Sequence, residues 1–468
     1  MPLSIHFYDS QYIGAPAHGQ LVSFDSLRVS EGATDCSRLR IALRPDVAFM
    51  PQAIEQGDCF DMDLSDGVSE YEWSRKADEL FRAPGTLHVG IGNTSTLDSF
   101  VRFALYRCLS TLPNTTIPAG VHYLDLLTVC RAINLLRPDA MPIPLAEDWD
   151  EQRKRAFICK HFPRESRAVS VMDLAKALMG SCPKLMGHAM AHSSPAHISE
   201  LCGLVDGQIE SLSEMKPVFL CHESLLSDTK FGVYMALATD PQYKNIVYLI
   251  DLQCDLTELI ADRGADVARF VRTAPAQSDR PVVRVNLNRI PFASPLGVLD
   301  RTTAGRLRID PGRVKRNAAL LSDKTDLCLA LMEVSGASGA NLNGDPDFQL
   351  FGAEYLQPDM ELLQRLHALA PSDWGSHISC AQDARITTLA TRLIRRTSPA
   401  LSSQGDIEDW LSHCSTRLLG KADAARIAET KAYCTNIASS LYLPMGMQTA
   451  ARHWLHTTEI RNESRINV

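Results

Sequence analysis

The hydrophobic pattern of this chain changes period twice, and that limits the architectures open to it. Up to about residue 205, short runs with two-residue alternation take turns with runs of helical spacing. From about residue 216 the apolar runs are strand-like, and beyond about residue 350 helical spacing takes over with little alternation. Each period buries its apolar face in a different way, so one sheet or one bundle cannot serve all three regimes. At 468 residues the chain also exceeds what a single core ordinarily serves. The expectation is an α/β domain over residues 1–205, a mainly β domain with helical insertions over 206–350, and a helical domain over 351–468.

Composition narrows the functional classes. Hydrophobic residues make up 45% and charged residues 22%, the balance of an ordinary globular chain. With 47 basic against 55 acidic residues the formal charge is -8, which argues against polyanion binding through overall charge and leaves room for a local basic channel. No run approaches the roughly 18 apolar residues of a membrane span. The opening residues lack the basic-then-apolar pattern of a secretory signal. The 13 cysteines are scattered, without a Cys-x-x-Cys pair, as suits a reducing cytoplasm better than a disulfide framework or zinc ribbon.

Within the first regime, residues 5–11 read as a strand on which Ile5, Phe7, Asp9 and Gln11 share one face. Residues 22–29 alternate as a second strand paired with it. A helix is expected over 69–81, a buried strand over 86–92, and then a helix capped from Asn93–Thr96 with Asp98 in its first turn. A further helix over 124–136 stops before Arg137-Pro138, and residues 139–168 read as a surface connection. Ser194 and Pro195 signal a helix start, placing His192 just before it and His197 in its first turn. Strands are expected at 217–220, 232–237, 245–252 and 282–287, and helices at 359–369, 384–396 and 422–441.

Taken in this order, the chain resembles the exodeoxyribonuclease I family of processive 3'→5' single-strand DNA exonucleases. The likeness rests on Phe7-Tyr8-Asp9, on Leu124-Asp125-Leu126-Leu127 with Arg131-Ala132 and Leu135-Leu136-Arg137-Pro138, and on Met215-Lys216-Pro217-Val218. It continues through Ile246-Val247-Tyr248-Leu249-Ile250-Asp251-Leu252 and Asp347-Phe348-Gln349-Leu350-Phe351. The resemblance implies an RNase H-like exonuclease domain, an SH3-like β domain and a C-terminal helical domain, forming a C-shaped clamp around single-stranded DNA. It also implies four carboxylates and a histidine that bind two Mg²⁺ ions and activate a water. Asp9 matches the first acid, Asp98 the third, and His192 the general base. Gln11 stands where the family has Glu, and His197 where it has the last Asp.

Mg²⁺ is hard and favours anionic oxygen, so an amide and an imidazole are poor replacements for two carboxylates. The expectation is therefore an exodeoxyribonuclease I-like protein with impaired cleavage, acting as a single-strand DNA-binding or scaffold protein and needing no metal. The alternative is an active 3'→5' exonuclease using Mg²⁺ or Mn²⁺ through a remodelled site in DNA repair or recombination. Taken alone, Asp9 reads more readily as a turn or capping acid than as a ligand, and Asp98 equally as a first-turn acid favourable to a helix dipole. His188, His192 and His197 have spacings that a transition metal could use, but Pro195 breaks the helix between them. Basic candidates for phosphate contact are Arg284, Arg289, Arg313, Lys315, Arg316, Arg392, Arg395 and Arg396, with Phe219, Tyr234 or Phe351 as stacking partners. The expected partners are single-stranded DNA and, by the family's habit, the single-strand DNA-binding protein or another protein; no membrane is involved.

Overall fold

The N-terminal alternating run becomes β1 (Ser4–Ile13), the middle strand of a five-stranded sheet of order β3-β2-β1-β4-β5. In this computed structural model the described residues are 4–47, 62–111, 117–144, 151–336 and 344–466, apart from positions 224, 226–228, 242, 244, 263–265, 275–276, 278, 353, 420–423 and 441. β2 (Gln20–Ser30) pairs antiparallel with β1, as expected, and β3 (Ala33–Arg40) extends that meander. On the other side β4 (Thr86–Gly90) and β5 (Val121–Asp125) run parallel to β1.

Among the described residues this region holds seven helices: α1 (Glu70–Arg82), α2 (Asp98–Arg107), α3 (Leu126–Leu136), α4 (Glu151–His161), α5 (Arg167–Ser181), α6 (Pro183–Ala191) and α7 (Pro195–Leu201). Successive residues of β1 point to opposite faces. Phe7 packs with Leu27, Val89 and Leu124 against Ile133 of α3 and Leu174 of α5. Tyr8 packs with Phe24 against Trp73, Phe81 and Phe100 of α1 and α2. This division decides where the neighbouring acids can go.

Three local expectations need correction. The run 124–136 is not one helix: β5 ends at Asp125, whose carboxylate caps α3 by accepting from the Leu127 N–H at 2.9 Å. Residues 93–96 do not cap α2; Asn93–Leu97 form a π-helical turn running into it, and Leu97 supplies no side-chain cap. Asp125 holds that turn instead, accepting from the N–H groups of Gly92 (2.9 Å) and Thr94 (3.2 Å). The stretch 139–168 is more than a connection, since it contains α4; residues 145–150 of it lie outside the described residues.

The second domain is a five-stranded antiparallel sheet of order β10-β6-β7-β8-β9, made of β6 (Val218–Cys221), β7 (Phe231–Thr239), β8 (Ile246–Asp251), β9 (Val282–Asn286) and β10 (Phe292–Pro295). β10 escaped the pattern because it is four residues long and ends in proline. In the third region, helices Gln357–His367, Ala384–Thr397 and Ala424–Ser439 fall where expected, with 422–423 and 441 outside the described residues. Gln404–Leu419 and Met445–Ile466 are further helices that the spacing did not reveal.

A buried charge network joins the helical region to the first domain. Asp46, fully buried, pairs with Arg44 (3.3 Å), Arg396 and Arg417 (2.7 Å). Asp347, equally buried, pairs with Arg392 (3.1 Å), Arg396 (2.9 Å) and Arg417 (2.7 Å), while Arg417 also reaches Asp345 (2.6 Å). Arg44 continues to Glu70 (2.7 Å), which Arg107 shares at 2.8 Å. Burial alone would raise the pKa of Asp46, but Arg396, Arg44 and Arg417 hold it well below the carboxylate range. Removing one partner leaves a buried charge without compensation, so Arg396→Met is expected to destabilise the protein by roughly 3–5 kcal/mol. Urea unfolding would measure it; a loss within experimental error would show that the network carries no stability.

Candidate functional site

The sequence places Asp9 near the C-terminal end of β1, and the register sets Asp25 of β2 directly opposite. Both carboxylates lie on the Phe7 face, under α4 and α5. Arg155 of α4 donates from Nη2 to Asp9 Oδ1 at 2.5 Å and to the Ser10 carbonyl at 2.8 Å, and its guanidinium lies 5.5 Å from the Tyr12 ring centroid. Arg167 Nη1 stands 3.7 Å from Asp9 Oδ2, and the Arg167 N–H donates to Asp25 at 2.7 Å, at the start of α5. Arg38 Nε lies 3.5 Å from Asp25. Burial raises the pKa of Asp25, and the neighbouring charge of Asp9 adds to that; the Arg167 N–H and Arg38 offset part of it.

Gln11 faces the same way as Asp9, and its Oε1 accepts from the Ser23 hydroxyl at 2.8 Å. An amide oxygen meets a neutral donor there without adding charge. Asp98 goes elsewhere. Its Oδ1 accepts from the Tyr8 hydroxyl at 2.5 Å, and Asn93 Nδ2 donates to that same hydroxyl oxygen at 3.0 Å. Because Tyr8 and Asp9 are successive strand residues, the Asp98 carboxylate sits on the opposite face of β1 from Asp9. Burial pushes the Asp98 pKa up to about 7; the Tyr8 hydrogen bond and Arg102 oppose that rise, and Asp125 adds to it.

His192 closes α6 at the outer edge of the sheet. The Tyr123 N–H of β5 donates to the Ser193 carbonyl at 2.8 Å, so this segment lies beyond β4 and β5 from β1. At ~4.8 Å per strand spacing that is about 14 Å from β1. His192 Nδ1 contacts the His188 carbonyl at 2.9 Å, and His188 Nε2 the Ala293 carbonyl at 2.8 Å. His197 begins α7, with its N–H on the Ser194 hydroxyl (3.3 Å), and its ring stacks on His122 at 5.6 Å. Among the described residues, no group of three or more His, Cys, Asp or Glu side chains is placed to hold a metal ion.

The basic candidates divide. Arg396 and Arg392 belong to the buried interdomain network, and Arg395 pairs with Asp406 at 3.0 Å. Arg284 pairs with Asp240 (3.2 Å), Arg313 donates to the Gln253 carbonyl (2.9 Å), and Arg316 lies 3.8 Å from Asp310, while Lys315 is exposed. Arg289 alone of them reaches the first domain near Asp98, donating to the Thr94 carbonyl at 2.7 Å. Next to it Ile290, a β-branched residue, is held at φ 47° with its side chain packed into the Tyr8 cluster. That strained backbone fixes the bridge between the two domains. Phe219 and Tyr234 are fully buried in the β-domain core and cannot stack on a base, whereas the Phe351 ring is exposed.

The sequence reading missed Asp25, Arg155, Arg167 and Tyr8. Only Asp25 left a signal, because residues 5–11 and 22–29 were expected to pair and an acid sits in each.

The exonuclease I SH3-like domain model matches residues 207–335, and the exonuclease I C-terminal domain model matches residues 344–453. The chain belongs to the exonuclease I family. Exodeoxyribonuclease I of Buchnera aphidicola (subsp. Schizaphis graminum) is 23% identical over 365 residues, covering 74% of this chain and 72% of the relative. The Escherichia coli K12 enzyme is 23% identical over 369 residues, covering 74% of each. Among solved structures, E. coli exonuclease I in complex with a dA16 oligonucleotide superposes with a TM-score of 0.80 at 19% identity, over 98% of this chain and 99% of that one. Exonuclease I from Methylocaldum szegediense gives 0.78 at 22%, with the same coverage. A structure described as SSB/exonuclease I in complex with the inhibitor CFAM gives 0.80 at 18%, over 98% and 100%. The family's overall fold thus extends across the chain, first domain included. No helix of the described residues is long and apolar enough to cross a membrane.

The Tyr8 hydroxyl donates to the charged form of Asp98 and so favours it. Tyr8→Phe is therefore expected to move the Asp98 midpoint above its value of about 7. Carboxyl ¹³C shifts followed against pH would show this, and an unchanged midpoint would mean that the hydrogen bond does not govern the acid.

Proposed function

We propose that this protein is an exonuclease I-type clamp that binds single-stranded DNA and does not cleave it efficiently. The observation that carries the reading is the state of Asp9, whose carboxylate is 1% exposed and held by the guanidinium groups of Arg155 and Arg167. A two-metal nuclease needs its first acid turned toward cations, with the other acids converging on the same ions. Here Gln11 brings no charge, Asp98 bonds Tyr8 on the other face, and His197 stacks on His122. These residues do not fit a pair of Mg²⁺ ions, so we derive no cleavage step through them.

The clamp itself is kept. The interdomain network and the Arg289–Thr94 bridge hold the domains together, and a relative of the same overall fold is described with a dA16 oligonucleotide. On the same footing the protein's partners are single-stranded DNA and, as in the relative described together with SSB, a single-strand DNA-binding protein.

The test is incubation of 3'-labelled single-stranded DNA with pure protein in Mg²⁺ or Mn²⁺, alongside a salt titration of binding. The expected result is intact DNA and an affinity that falls steeply with salt. Gln11→Glu combined with His197→Asp is expected to restore no measurable cleavage, because Asp9 stays paired. Robust digestion by the natural sequence that disappears in Asp9→Ala would overturn the reading of impaired cleavage. Absence of binding at low salt would overturn the DNA clamp.

A further inference from the structure

Asp9 and Asp25 present two carboxylates across adjacent strands, both nearly excluded from water, at 1% and 3% side-chain exposure. Two such acids repel each other and cannot be buried as a charged pair without positive charge beside them. That charge comes from the chain itself. Arg155 is 8% exposed; it contacts Asp9 Oδ1 at 2.5 Å and is held in place by the Ser10 carbonyl and the Tyr12 ring. Arg167 faces Asp9 Oδ2 and gives its backbone N–H to Asp25. Both guanidinium groups thus face Asp9, while Asp25 has the Arg167 N–H and the Arg38 guanidinium at 3.5 Å.

We propose that Arg155, seconded by Arg167, is a built-in counter-ion that does for Asp9, beside the Arg38-paired Asp25, what a divalent cation would do, making this part of the fold independent of metal. The inference deepens the proposed function and rests on its reading of the site. Mg²⁺ needs oxygen ligands at about 2.0–2.1 Å in a nearly octahedral shell. A planar guanidinium already bonded to Oδ1, with the adjoining Ser10 carbonyl also taken, leaves that shell only Asp9 Oδ2, with the Arg167 charge 3.7 Å away from it. Arg155 reaches this position from α4 through its long side chain, so that side chain acts as the plug.

The test uses the full chain, its melting temperature, and the Mn²⁺ electron paramagnetic resonance signal. For the natural sequence, millimolar MnCl₂ is expected to leave the melting temperature unmoved and the free-Mn²⁺ signal undiminished. Arg155→Met should lower the melting temperature by roughly 5–10 °C, the order expected for a buried acid that loses its partner. Millimolar Mn²⁺ should then recover part of that loss and bind measurably. Adding Asp9→Asn to Arg155→Met should restore stability without metal, because both charges are gone. Should Arg155→Met not fold, the double variant still decides: recovery supports the counter-ion, and failure to recover overturns it. Arg155→Met melting like the natural sequence, or destabilised yet indifferent to Mn²⁺, would likewise overturn it. DNA cleavage enters none of these readouts, so this inference and the proposed function can fail separately.

Discussion

The buried pairing of Asp46 and Asp347 with Arg396 and Arg417 is the constraint on which the assembly depends. Asp46 follows the β-meander of the first domain, Asp347 lies at the entry to the helical region, and the two arginines come from separate helices within it. A hydrophobic interface tolerates small slips, but this network does not, since a displaced arginine would leave a carboxylate charged and dry. Arg417 alone reaches three acids, so its helix has one position in which all of them are satisfied. Glu70 carries the same network into α1, and Arg107 carries it to the C-terminal end of α2.

The same rule operates under α4, with a different consequence. Guanidinium groups are directional, planar donors, and they satisfy a carboxylate by pointing at it from within the protein. A divalent cation is shared among several acids and draws them together. Around Asp9 the directional solution has been taken, and the acids need not converge. Asp98 can turn to Tyr8, and Gln11 to Ser23, with no uncompensated charge on the shared face.

Much of this was legible in the sequence. The switch from alternating periods to strands and then to helices marks the three regions, and the antiparallel pairing of β1 with β2 follows from two neighbouring runs of period two. Gln11 and His197, at positions the resemblance gives to carboxylates, are residue types that Mg²⁺ chemistry does not favour. What could not be read are the long-range partners. Arg155 lies 146 residues from Asp9, in a stretch whose proline and charge looked like a linker. A guanidinium found there by folding leaves no trace in local spacing. Arg392 and Arg396 misled for the converse reason: a basic pair on a helix looks like an exposed face until Asp345 and Asp347 are seen to meet it. β5 was hidden because it runs directly into α3, with Asp125 serving both as the last strand residue and as the helix cap.

A site of buried acids arranged around cations can be held without those cations in few ways. An acid can be replaced, it can be paired with a cation from the chain, or its environment can favour the protonated form. All three are found here. Gln11 and His197 stand where the resemblance implies carboxylates, Asp9 is paired with Arg155, and the pKa of Asp98 is raised to about 7, so that its carboxyl is partly neutral near neutral pH. Read singly, each could be a local accident of a diverged sequence. A buried carboxylate is costly on either face of β1, whether at Asp9 or at Asp98. Each has been relieved by a different means. None of these features touches the strand order or the buried charges that join the helical region to the first domain.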